Sequence, residues 1–206
     1  MPVSEKATVL DLGAGTGKLT RVLAARYRRV FALEPLDELR AILERQVPEA
    51  TALPGEAEAI PLDDESVDAA LAGQSFHWFA NDAAAAEIAR VLRPGGILAI
   101  LWNERVDPSP LPVPYERRLE ELRSARPFPE IDERFFEGKP FGEEHEAAVE
   151  HDQVSTRDDA LAFAASVSWV ASRDDRDEVL GDLAAMLPEG EYRFRIRAKV
   201  TWLVRS

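Results

Sequence analysis

A chain of 206 residues suits one compact domain of ordinary size and is too short for two comfortable ones. It contains no cysteine, which excludes a disulfide framework, a thiolate metal cluster and a cysteine nucleophile. Lys and Arg total 25 against 38 Asp and Glu, and the formal charge of -13 disfavours nucleic acid and anionic membranes while favouring a neutral or cationic partner. No apolar run reaches the length of a membrane span. Met1-Pro2-Val3-Ser4-Glu5 has neither a basic n-region nor an apolar h-region, so the expected location is cytoplasmic.

The first half alternates apolar runs with helical patterns, the layout of parallel strands joined by crossover helices. Ala7 to Leu12 reads as a buried strand ended by Gly13, and Leu19, Val22, Leu23 and Tyr27 stripe the following helix. Val30 to Leu33 is a second strand. Leu36, Leu39 and Leu43 stripe a second helix that stops before Pro48. A short strand at Thr51-Ala52-Leu53 precedes an irregular stretch, and Val67 to Ala72 is the fourth strand. Asn81 and Asp82 are cap residues for a helix carrying Ile88, Val91 and Leu92, which Pro94-Gly95-Gly96 closes before a fifth strand from Ile97 to Trp102. Prolines at 108, 110, 112 and 114 mark a connector. Beyond it, Tyr115, Leu119 and Leu122 suggest a helix, and Pro127 to Gly142 reads as an acidic surface excursion. A strand is expected within His145 to Val154, then helices over 158–167 and 174–187. The run from Tyr192 to Val204 alternates apolar residues with Arg193, Arg195, Arg197 and Lys199, the pattern of a strand with one dry and one wet face.

The most informative stretch is Val9-Leu10-Asp11-Leu12-Gly13-Ala14-Gly15-Thr16-Gly17, where a strand enters a glycine loop and then a helix. Such a loop lets a ligand approach the backbone and leaves amides free to bind it. A dinucleotide fingerprint needs glycine at position 18, where Lys18 stands. A phosphate-binding P-loop needs glycine at position 12 and a hydroxyl at position 19, and both positions hold leucine. Glu34 closes the second strand, placed to accept hydrogen bonds from two ribose hydroxyls.

The run VLDLGAGTGKLT, the acid in ALEP, the segment GEAEAIPLDDESVD and the closing RVLRPGGILAI together resemble the ordered motifs of class I S-adenosylmethionine-dependent methyltransferases, in the methyltransferase type 11 group. Gln74-Ser75-Phe76-His77-Trp78-Phe79 and Trp102-Asn103 are similar to a small-molecule branch of that group that includes trans-aconitate methyltransferases. The resemblance implies an α/β, Rossmann-like sheet, mostly parallel, with helices on both faces and an antiparallel final strand inserted between strands five and six. It implies one methyltransferase domain over 1–206, with 1–104 the cofactor-binding half and 105–206 completing the sheet and capping the site. The implied cofactor is S-adenosyl-L-methionine, with S-adenosyl-L-homocysteine as product. In that reading Gly13, Ala14, Gly15 and Gly17 approach its methionine part, Asp11 reaches its amino group directly or through water, Glu34 holds the ribose, and Pro35 is a further cofactor-binding residue. Glu56 and Ala57 meet the adenine, and Gln74 lies near the transferable methyl. Family members usually carry a segment before the first strand that closes over the cofactor; here the strand starts within a few residues of Met1. A binding module without catalysis, or a shortened methyltransferase, is therefore the alternative.

Methyl transfer from a sulfonium is an in-line displacement in which positioning supplies most of the gain, so a dedicated base is optional. Without cysteine, pyrimidine C5 methylation is excluded. Asn-Pro-Pro-Tyr is absent after the fourth strand, where Ala72-Gly73-Gln74-Ser75 stands, which argues against methylation of amide or base nitrogens. Asp68 starts its strand and Glu104 is alone, so no carboxylate set for magnesium is expected. The expected reaction is metal-independent transfer to oxygen, nitrogen or carbon of a small molecule. His77 is the one candidate acid or base, weighed against a simple packing role. Phe76, Trp78 and Phe79 are candidates for an acceptor pocket or for core. The Arg193 to Lys199 stripe is weighed as an anion site against a solvated face balanced by acidic neighbours.

Overall fold

The computed structural model describes residues 4–124, 131–132, 134–171 and 173–206. Strands β1 (Thr8–Leu12), β2 (Arg29–Leu33), β3 (Thr51–Leu53), β4 (Val67–Gly73), β5 (Leu92–Arg105), β6 (His145–Thr156) and β7 (Glu191–Val204) form one sheet in the order β3-β2-β1-β4-β5-β7-β6. The first five strands pair in parallel, with Leu12 opposite Leu33, Leu33 opposite Leu53 and Gly73 opposite Leu101. Their carboxyl ends therefore share one edge. Strand β7 runs against β5: the Gly95 amide bonds the Arg205 carbonyl and the Val106 amide bonds the Arg195 carbonyl. The expected insertion of an antiparallel last strand between the fifth and sixth is what the sheet contains.

Helices α1 (Lys18–Ala24), α2 (Asp37–Gln46) and α3 (Asp82–Val91) connect the parallel strands. The chain divides into two compact units, one of Met1–Trp102, Pro129–Ala148 and Lys199–Ser206, the other of Asn103–Phe128 and Val149–Ala198. In the first, alternate residues of each strand face opposite sides of the sheet. Leu10, Leu12, Phe31 and Leu33 pack with Ile88 of α3, while Val9, Val30, Ala69 and Leu71 pack with Leu23 of α1. In the second, α4 (Val113–Ser124), α5 (Arg157–Ser166), α6 (Ser168–Ala171) and α7 (Arg176–Met186) enclose a core with Tyr115, Leu122, Ala164 and the α7 stripe Val179 and Leu183. The Tyr115 hydroxyl donates to the Ala160 carbonyl at 3.1 Å.

Several local expectations change. Pro94-Gly95-Gly96 does not separate helix from strand, because β5 already begins at Leu92 opposite Val67. A register shift between Val67 and Ala69 absorbs the irregularity, and the amide of Arg205 pairs with the Gly96 carbonyl. Val22 is exposed rather than part of the α1 stripe, and Leu36 stands exposed as the N-cap of α2. Within the expected excursion, 127–130 and 133 lie outside the described residues, while Phe135 and Phe136 pack onto the first core and Phe141 joins it. The arginine stripe meets acids of β6: Arg197 pairs with Glu150 at 2.8 Å and Arg195 with Asp152 at 3.0 Å. Its charge is thus balanced across the strand pair. Among the described residues no helix is long and apolar enough to cross a membrane.

Candidate functional site

The site grows from the carboxyl ends of β1 and β2. After Leu12 the backbone turns through Gly13 (φ +63°), Gly15 (φ +58°) and Gly17 (φ +89°) into α1, a path that side chains resist. A Cβ on Gly13 would stand 2.8 Å from the Ser75 Cβ, so the first glycine also serves close packing. At Gly15 the space is open, with nothing within 4 Å of where a Cβ would be. The loop is held by the Ala14 amide on the Leu33 carbonyl at 3.0 Å and by the Ser75 hydroxyl on the Leu12 carbonyl at 2.6 Å.

Glu34 follows β2 and is 4% exposed. One carboxylate oxygen accepts from the Gly15 amide at 2.8 Å and the other from the Leu36 amide at 3.0 Å. Its carbonyl takes the Arg40 guanidinium at 3.0 Å. Glu34 therefore fastens the glycine loop, and each oxygen keeps a second lone pair for a further donor. Asp11 is buried beneath the loop and accepts from the Thr20 hydroxyl of α1 at 2.6 Å. Burial pushes its pKa up to about 7, opposed by the Thr20 hydrogen bonds and reinforced by the Glu34 charge.

The remaining expected residues spread along the same edge. Pro35 and Glu56 are exposed and Ala57 is buried in the core. Gln74 has φ +61°, an unusual conformation for a residue with a side chain, and its amide donates to the Leu101 carbonyl at 3.0 Å. The 3-10 turn Phe76–Trp78 follows: Phe76 and Phe79 are core, whereas Trp78 is exposed. The His77 ring lies 4.6 Å from that of Trp78 and 5.5 Å from that of Trp102, and burial holds its pKa below the ordinary imidazole value. Sequence reasoning missed Thr20, Ser75 and Arg40, the groups that fix Asp11, the loop and Glu34. A hydroxyl in the first turn after the glycine loop was the one local signal for Thr20.

The residues present fit S-adenosylmethionine: two buried carboxylates, Asp11 and Glu34, suit a group bearing a sulfonium and an ammonium, and the Gly15 position leaves room for close approach. This sheet order, with its glycine loop and strand-two acid on one edge, defines the Rossmann-like class of S-adenosylmethionine-dependent methyltransferase folds. Residues 10–100 match the methyltransferase domain family of type 11. An uncharacterized methyltransferase of Mycobacterium tuberculosis is 54% identical over 97 residues, 47% of this chain and 40% of that protein. One of Schizosaccharomyces pombe is 44% identical over 122 residues, 59% of this chain and 49% of that protein. The chain thus spans about half the length, or less, of the curated relatives it matches. A solved structure of a putative type II methyltransferase from Anaeromyxobacter dehalogenans is 27% identical and superimposes with a TM-score of 0.58, covering 96% of this chain and 89% of that one.

Proposed function

We propose that the chain binds S-adenosylmethionine and transfers its methyl group to oxygen, nitrogen or carbon of a small cytoplasmic molecule without a metal ion. The observation that carries this reading is the meeting of the Gly13–Gly17 loop with the buried Glu34 carboxylate at one edge of the sheet. When bound, the cofactor supplies an electrophilic methyl on a positively charged sulfur. The loop amides and Asp11 hold its methionine end, Glu34 and Pro35 the ribose, Glu56 and Ala57 the adenine, and Gln74 borders the transfer site. The chain's contribution is alignment and exclusion of water. Asp68, the strand-four acid, is committed to the Thr8 amide at 2.7 Å and to Arg93 at 2.5 Å at the other end of its strand, which supports the metal-free reading.

Calorimetry is expected to give saturable binding of S-adenosylmethionine and S-adenosylhomocysteine and none of nicotinamide dinucleotides; absence of binding by the sulfonium pair overturns the proposal. Turnover, read as S-adenosylhomocysteine release over an acceptor panel, separates an enzyme from a binding module and is expected to survive a chelator. His77 packs between Trp78 and Trp102, so His77→Gln is expected to leave turnover within about three-fold, while a proton-transfer role predicts a loss of roughly 100-fold or more.

A further inference from the structure

Beside the 3-10 turn lies a cavity of about 170 Å³ whose apolar wall is formed by the rings of Phe76, Trp102, Phe135 and Phe136 together with Ile100 and Ile131. Phe76 meets Phe135 edge-on at 5.6 Å and stacks with Phe136 at 5.8 Å, so the rings form one cluster rather than separate contacts. Phe76 follows the carboxyl end of β4, and Trp102 lies in β5 one residue past Leu101, the last to pair with β4, at the edge that carries the glycine loop. Two carboxylates, Asp132 and Glu144, also line the cavity. Asp132 accepts the Arg134 amide at 2.8 Å, and among the described residues neither acid has a cationic partner. The Lys139 ammonium stands 4.1 Å from the centre of the Phe135 ring and is paired with Asp82 at 3.1 Å.

Aromatic faces attract cations through the ring quadrupole, and the attraction grows where water is excluded. Carboxylates at the same wall reject anions and complete the recognition of an ammonium group. The volume is below the range of roughly 300–1,000 Å³ usual for drug-sized ligands, so it admits a small molecule or one end of a larger one. The surplus of acids over bases in the whole chain draws the same class of ligand.

We propose that this cavity recognises the acceptor and that the acceptor is a small amine with an apolar or aromatic body, its ammonium group at Asp132 and Glu144 and its body against the half-buried rings of Trp102, Phe135 and Phe136. The inference rests on the methyl-transfer reading for the acceptor's role, but the binding chemistry stands apart from it.

The test titrates the cofactor-free protein with 2-phenylethylamine, 3-phenylpropionate and 2-phenylethanol by calorimetry, and titrates S-adenosylhomocysteine separately. The amine is expected to bind at least ten-fold more tightly than the anion or the alcohol. That preference is expected to vanish in the Asp132→Asn, Glu144→Gln double variant, whose exposed side chains can change without loss of the thermal midpoint. Trp102→Leu is expected to weaken all three probes. Equal binding of amine and anion, or an unchanged preference in the double variant, overturns the cavity proposal even when S-adenosylhomocysteine binds normally. Amine binding by a protein that fails to bind S-adenosylhomocysteine overturns the acceptor role instead.

Discussion

Glu34→Ala is expected to weaken S-adenosylhomocysteine binding by roughly 100-fold, about 2.7 kcal/mol, the scale of losing one strong hydrogen bond to a charged group. The reasoning has two parts. In the proposed complex the carboxylate receives the ribose hydroxyls; without any ligand it already receives the amides of Gly15 and Leu36. Truncation removes both, so the loop loses its fastening as well as the ligand its acceptor. Glu34→Gln separates the two effects. It keeps one acceptor oxygen, enough for one of the two amides, and turns the other position into a donor facing a donor. An intermediate loss is expected for glutamine, with a smaller fall in thermal midpoint than for alanine. Affinity in Glu34→Ala within three-fold of the parent protein would show that neither role matters for binding.

The loop and its acid were legible because both are local. A strand, three spaced glycines and a helix form one continuous pattern, and Glu34 ends the next strand, only 19 residues from the amide it receives. What stayed hidden depends on distant partners. The Ser75 hydroxyl latches a carbonyl 63 residues away, and no periodicity marks such a residue. Pro94-Gly95-Gly96 looks like an interruption when only neighbours are considered; pairing with Arg205 makes it strand. Phe135 and Phe136 were obscured by the acidic composition around them, yet they complete the core beside Phe76. Leu36 shows the reverse error: its helical spacing suggested burial, but it precedes the first turn of α2 and faces water. Chain order was readable from alternation, whereas the second half needed the antiparallel return of β7 to be placed.

Asp11→Asn is expected to remove a pH dependence of stability that the parent chain carries. In the unfolded chain Asp11 has the ordinary value of 3.8, and in the folded chain burial raises it to about 7. Between those values the folded protein holds a proton that the unfolded chain has released, so stability is greatest at low pH in this window and falls as pH rises toward 7. The full difference is about 4 kcal/mol, at roughly 1.36 kcal/mol per pH unit. Burial of His77 acts with the opposite sign, since its lowered pKa costs stability as pH falls below the ordinary imidazole value of 6.5. Comparing Asp11→Asn with the parent cancels that contribution. The variant is expected to be the less stable protein near pH 5, where its amide NH2 replaces one oxygen of a neutral carboxyl, and to gain on the parent steadily up to pH 7. Urea unfolding at four pH values reads this directly; a constant difference would mean that Asp11 is ionised throughout. A ligand ammonium beside Asp11 favours the ionised form, so S-adenosylhomocysteine is expected to bind the parent more tightly as pH rises from 6 to 8, and the asparagine variant with no such trend.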